Sequence, residues 1–430
     1  MLEVLRGSWA LLLGMLLLML GNGLQSTLLG VRGAIEGFSA LEMSVVMSAY
    51  FAGFLGGSRL APELIRRVGH VRVFAALGSL ISATLILYAA VLDPWAWAGF
   101  RVIVGFCFSG VYVTAESWLN NSASNENRGK ALSLYMVVQM AGIVAAQGLL
   151  NLGDAAGYTL FVIASVLVSV AFTPILLSVT PAPVFEATKP MSLRTLVRAS
   201  PLGAVGMLLS GGIFAAMFGM SAVYGTQAGL SVPQISAFVS AIFAGGLVCQ
   251  YPIGWLSDRT DRRRLIAALA GGAGLAMLLP LLAPPSFPAL LALAFVLGGA
   301  TNPLYALLMA HTNDFLARED MASASGGMIF LNGVGAVTGP LVLGWAMDRM
   351  GPDAFFGYVA LMLVATGGYA LWRMTRRARV ALSDQGTYAP VLPTVSPVAV
   401  ELTQEIAAER AQEGDSPGQT AQAVDKAEKS

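Results

Sequence analysis

Apolar stretches of membrane-spanning length recur along the whole chain, separated by short polar or turn-forming connections. A spanning helix needs about 20 mostly apolar residues. Stretches near residues 8–30, 43–62, 73–92, 97–119, 130–151 and 157–179 qualify in the first half, and near 201–222, 234–254, 265–283, 288–311, 323–347 and 355–374 in the second. Turn formers such as Asp93-Pro94 and Pro284-Pro285 punctuate the connections. One internal connection, near 180–200, is longer and carries Pro181, Pro183, Pro190, Lys189, Arg194 and Arg198. The pattern predicts an all-α membrane protein of twelve transmembrane helices. Residues 1–180 form one six-helix bundle, 181–200 a cytoplasmic linker and 201–374 a second bundle.

The two halves are copies. SAYFAG at Ser48 to Gly53 returns as SAIFAG at Ser240 to Gly245, 192 residues later. The same offset carries Gly14-Met15-Leu16-Leu17 onto Gly206-Met207-Leu208-Leu209; a slip of one residue then pairs Tyr112 with Tyr305 and Gln139 with Asn332. In so hydrophobic a chain, parallel duplicated halves are the mark of a two-bundle transporter. The repeat also argues against reading the first apolar run as a signal peptide, because its partner near Gly206 lies mid-chain.

Composition agrees: 56% of residues are hydrophobic and 11% charged, with a mean hydropathy of +0.71, against about 25% charged in soluble domains. A net charge of +1 gives no ground for a nucleic-acid partner. Cys107 and Cys249 lie in apolar stretches and read as small buried hydrophobes. No disulfide framework, metal site or cofactor is expected. Positive charge is retained on the cytoplasmic side. With both termini inside, the inner segments up to Arg379 hold 19 of the 25 Lys and Arg residues, and Arg32 and Arg349 alone fall in outer loops. The expected location is a bacterial cytoplasmic membrane. Residues 375–430 read as a disordered cytoplasmic tail, with a transient helix around 401–412. The basic cluster before that tail is expected to hold lipid head groups.

Between the eighth and ninth stretches the chain reads Gly254-Trp255-Leu256-Ser257-Asp258-Arg259-Thr260-Asp261-Arg262-Arg263. It resembles the Gly-x-Leu-x-Asp-Arg-x-Gly-Arg-Arg signature of the major facilitator superfamily, with Asp261 at the second glycine. The first-half counterpart, Pro62 to Arg72, has lost the pattern. Arg101-x-x-x-Gly105 and Gly110 resemble that superfamily's Arg-containing fourth helix. Patches from Arg101 through Glu116, Asn127-Arg128-Gly129 and Gln147, and from Gln250 to Asp258, look like its YcaD-like subgroup. The resemblance implies alternating access by rocking of two bundles, with a small molecule as cargo and protons as a candidate coupling ion. It also implies that helices 1, 4, 7 and 10 line the path.

At 100° per residue, Arg101, Gly105, Phe108, Tyr112 and Glu116 share one face of the fourth helix. An ionisable residue in a spanning helix is a functional candidate by default, although Arg101 could instead snorkel to head groups. Polar residues near mid-depth are Asn22, Gln25, Tyr112, Asn302 and Tyr305 on the lining helices and Gln139 and Asn332 on the flanking fifth and eleventh; with Arg101 towards the outer end they make the candidate substrate-binding set. Helix-to-helix hydrogen bonds are the alternative role for each. Such a site suits an uncharged, amphipathic or weakly anionic molecule. Glu116, Arg128, Asp258 and Arg259 are expected to gather as an inner gate or latch. The glycines and Pro340 of the eleventh stretch read as a packing face.

Two function classes follow: a secondary transporter working as a monomer, or a non-transporting sensor that uses the same fold and its tail. No Walker-type loop is present, so the chain by itself is not expected to use ATP. No arrangement resembles a catalytic site, and an enzyme is not expected.

Overall fold

A computed structural model describes residues 2–122, 128–176 and 191–378, and beyond them residues 380, 381, 385, 386, 388–393, 396, 399 and 400. Twelve helices are long and apolar enough to cross a membrane: α1 (Ser8–Ile35), α2 (Ala40–Val68), α3 (His70–Ala90), α4 (Pro94–Asn120), α5 (Arg128–Leu152), α6 (Thr159–Leu176), α7 (Pro201–Gln227), α8 (Val232–Ser257), α9 (Arg262–Leu282), α10 (Phe287–Asn313), α11 (Glu319–Met350) and α12 (Ala354–Met374). Several outrun the apolar stretches that announce them. Glu42, Glu63, Glu319, Asp320 and Asp348 therefore also lie within spans, near helix ends, beside the more deeply placed Glu116.

Equivalent helices start by equivalent chemistry. Ser39 opens α2 with its backbone N–H donating to Glu42 Oε2 at 2.8 Å. The repeat partner Ser231 opens α8 in the same way, donating to Gln234 Oε1 at 2.9 Å. Each exchange satisfies donors that a helix start leaves free.

The helices pack as two copies of one bundle. In the first, α1 contacts α5 and α6, α2 contacts α4, and α3 contacts α4 and α6; adding six to every number reproduces the second. The bundles meet through α2 against α11 and α5 against α8, contacts that the duplication interchanges, with α1 against α7 between them.

Close approach within each bundle depends on glycines. A Cβ on Gly53 would lie 2.0 Å from the Val102 carbonyl oxygen, and one on Gly105 1.9 Å from that of Tyr50. The repeat partners behave alike: Gly245 would meet the Phe295 oxygen at 2.1 Å and Gly298 the Ile242 oxygen at 1.7 Å. In α11, Gly335 abuts the Leu208 carbonyl of α7, while Gly333 and Gly344 accommodate Leu55 and Ser44 of α2. The small residues of that helix thus face both its own bundle and the other.

The chain beyond α12 departs from the expectation of a free tail. Tyr388, Val391, Leu392, Ser396, Ala399 and Val400 are buried against the helices. This stretch has no helical or strand periodicity, but its Tyr, Val, Leu and Pro side chains provide apolar surface, and side chains of the bundles satisfy several of its backbone groups. The expected helix around 401–412 lies outside the described residues.

Candidate functional site

The fourth-helix face holds together in three dimensions. Arg101, Phe108, Tyr112 and Glu116 are buried, and Gly105 lets α2 pass close by. The Arg101 guanidinium sits over the Tyr50 ring, 4.6 Å from its centroid, and Nη2 lies 3.3 Å from Met47 Sδ. No carboxylate pairs with it among the described residues, and Nε and Nη1 have no hydrogen-bond partner. Arg101 is fully enclosed, with Tyr50 and Tyr88 the titratable groups that act on it. It does not snorkel.

Further polar groups with unused capacity lie on α1 and α5. Gln25 faces Tyr88, but neither its Oε1 nor its Nε2 forms a hydrogen bond. Asn22 faces Tyr50 and Tyr112 with its Oδ1 unbonded, and Tyr112 donates to Met19 Sδ at 3.3 Å. Gln139 on α5 is buried with both amide atoms unpartnered. A buried amide without a partner costs about 1–3 kcal/mol, so this concentration of unmet groups marks the region.

The second bundle presents less. Asn302 occupies the space above Gly246, where a Cβ would be 2.0 Å from Nδ2, and that Nδ2 is unpartnered. Tyr305 is buried. Asn332 is committed to structure, donating to the Met207 carbonyl at 3.3 Å.

At the end of the molecule bearing Asp348, the bundles touch. Ser26 Oγ donates to the Phe218 carbonyl at 3.1 Å, a contact between positions 192 apart and hence repeat-related. Phe218 belongs to a π-helical turn, Ala216–Met220, inside α7; such turns concentrate at functional sites, and apolar periodicity does not reveal them. Asp348 of α11 accepts from the Ala40 and Leu41 N–H groups at 2.9 and 3.1 Å, capping α2 from the opposite bundle. Asn151 of α5 reaches Ser236 of α8 at 3.2 Å.

The Asp258 end is open. A cavity of about 540 Å³ runs between α5 and α8 from Asp258 and Arg259 inward to Met140 and Gly246. Among the described residues, no ion pair joins the four expected gate residues. Glu116 accepts from Tyr135 Oη at 3.2 Å and from the Ser396 N–H at 3.0 Å. Arg259 stacks on Trp255 of its own helix, 4.3 Å from the ring centroid. Arg128 is half-buried at the start of α5. Asp258 turns to its own bundle and the terminal segment, contacting Arg262 Nη2 at 3.5 Å and accepting from the Tyr388 N–H at 2.7 Å. Helix direction places these charges at one end without fixing which neighbour each meets.

The dominant ion pair here was not anticipated. Arg262, 1% exposed, donates to Asp314 Oδ1 at 2.5 Å and ties the α8–α9 loop to the end of α10. Burial raises the Asp314 carboxyl against the opposing pull of Arg262. Asp261 caps α9; burial works against its charge, but hydrogen bonds from the Arg263 side chain and backbone hold its carboxyl below the ordinary range.

The model of the family described as Major Facilitator Superfamily matches residues 11–246 and 202–404. An uncharacterised MFS-type transporter, YcaD, of Escherichia fergusonii is 25% identical over 371 residues, 86% of this chain and 95% of the relative. Its namesake in Escherichia coli strain IAI39 is 27% identical over 375 residues, 84% of this chain and 95% of the relative. Among solved structures, a mutant form of the nucleoside transporter NupG superposes with a TM-score of 0.73 at 15% identity, covering 85% of this chain and 99% of that one. A bacterial homologue of the human lysosomal transporter Spinster, inward-facing and unoccupied, gives 0.66 at 15% identity over 94% and 98%. The family match spans both halves of the duplication, and this multi-pass membrane protein belongs to the Major Facilitator Superfamily.

Proposed function

We propose that this chain is a secondary transporter of a bacterial cytoplasmic membrane that carries a small molecule with an anionic or strongly hydrogen-bond-accepting group. The observation that carries the reading is Arg101: a guanidinium enclosed between α2, α3 and α4 with two unpartnered nitrogens and no paired carboxylate among the described residues. A buried cation without a counter-charge is costly, and an acceptor on a cargo would relieve that cost. Gln25 and Asn22 supply neutral donors and acceptors on the adjoining helix, and Tyr50 and Tyr112 supply ring surface. Gln139, Asn302 and Tyr305 extend the path into the second bundle.

The excess of Lys and Arg puts the Asp258 end in the cytoplasm, with both termini there. In that orientation the closed Asp348 end is outward and the conformation faces inward. Rocking about α2–α11 and α5–α8 would exchange the open and closed ends. Glu116 is the carboxylate placed to carry a coupling proton, because it lies in a span and within reach of Tyr135.

A thermal-shift screen of small organic anions and neutral amphiphiles against the purified protein tests the reading, since a ligand of the folded state raises its apparent stability. A hit should be transported into or out of proteoliposomes, and Arg101→Ala should weaken it at least tenfold. Proton coupling requires that flux depend on an imposed gradient; flux indifferent to the gradient removes Glu116 from that role. If Arg101→Ala and Tyr305→Phe both leave kinetics unchanged, the site is elsewhere.

A further inference from the structure

The cleft at the Asp258 end already holds a peptide of the chain itself, described at Gly386, at 388–393 and at Ser396. Three carboxylates bind it by its backbone. Asp314 Oδ1 accepts from the Gly386 N–H at 3.1 Å, Asp258 Oδ1 from the Tyr388 N–H at 2.7 Å, and Glu116 Oε2 from the Ser396 N–H at 3.0 Å. Arg262 donates to the Gly386 carbonyl, and Ser396 Oγ donates to Glu116. Gln250 Nε2 donates to Tyr388 Oη at 3.0 Å. The Tyr388 ring lies on Gly254, where a Cβ would approach Cδ1 to 2.6 Å.

The path of the segment matters as much as its contacts. It begins on the second bundle, at Asp314, Arg262 and Asp258. Pro390 and Leu392 then line the cavity between α5 and α8, and Pro393 reaches a smaller recess bordered by Tyr50, Phe54, Phe214 and Asn332. It ends on the first bundle at Glu116. The prolines present no backbone N–H that the apolar cleft would leave unmet.

We propose that the inner cleft is a binding site for an extended, proline-containing apolar peptide, and that the segment described at Gly386, at 388–393 and at Ser396 is its occupant, a wedge that bridges the two bundles and narrows access from this end. While the wedge is seated, α5 and α8 cannot close over the cleft and solutes reach it through a narrower mouth, so release of the segment precedes each closing of this end. The transport reading gives this its consequence, but the test involves no cargo, and either can fail without the other.

The test is alkylation of Met140→Cys by a membrane-impermeant maleimide applied to the Asp258 end, in a background with Cys107 and Cys249 changed to serine. The full chain is compared with one ending at Arg379. Truncation should speed labelling severalfold, and a synthetic peptide of residues 385–400 should slow it again. In the full chain, Gly254→Cys with Tyr388→Cys should form a disulfide under mild oxidant and hold labelling at its slow rate until reduced. Equal labelling of full and truncated chains overturns the proposal. If the truncated chain does not fold, failure of the disulfide pair to form in the full chain overturns it independently.

Discussion

Gly105 and Gly298 make the same contact in the two bundles: each brings its helix against a carbonyl of its neighbour, Tyr50 on α2 and Ile242 on α8, at distances that no Cβ could tolerate. Their α2 and α8 counterparts, Gly53 and Gly245, close the same crossings from the other side and are the last residues of the repeated hexapeptide. The repeat therefore marks a packing requirement. Gly298→Val should lower stability by about 1–3 kcal/mol, the usual range for overpacking, with Gly105→Val similar. Gly148→Ala, with nothing within 4 Å of the added carbon, should be neutral or slightly stabilising. Thermal unfolding in detergent distinguishes these outcomes.

Asp348 caps a helix of the opposite bundle, so its contribution exists only while the Asp348 end is closed. Asp348→Ala should cost that closed state about 1 kcal/mol, as for other lost N-caps. The population should shift roughly fivefold towards opening there. Accessibility of a cysteine at Ser26 to an impermeant reagent, with and without the substitution, measures the shift; no change would mean that the cap does not bias the conformation.

The Arg262–Asp314 pair is buried, and breaking it from one side should cost more than removing both charges. Asp314→Ala leaves Arg262 enclosed without its partner and should destabilise by about 3–5 kcal/mol, whereas the double variant Arg262→Met with Asp314→Leu should recover much of that loss. A double-mutant cycle on unfolding midpoints reads the coupling directly. Additive single effects would show that the pair is not coupled.

Asp261 gives a pH dependence of defined sign. Its carboxyl lies below the ordinary range in the folded chain, so the stability it contributes is present at neutral pH and is lost as pH falls through that lowered value. Arg263 and Arg264 favour its charge, and His311 faces it from α10. Asp261→Asn should therefore melt lower than the parent at neutral pH and converge with it in acid. Parallel curves across that range would contradict the assignment.

What the sequence determined by itself was the membrane class, the twelve spans, the duplication and the shared face from Arg101 to Glu116. These rest on local quantities: the length of apolar runs, the regular offset of the repeat and the 100° step of a helix. Tertiary structure alone decided which charges meet. Glu116 finds Ser396, 280 positions away, Arg262 finds Asp314 rather than the first bundle, and Asn332 spends its donor on a carbonyl of α7. Each choice depends on helix rotation, on close crossings set by glycines and on a terminal segment that has no periodicity. Burial then makes the choices consequential: a polar group taken from water must find a partner among whatever neighbours the packing provides, and those neighbours are not encoded in its own stretch of chain.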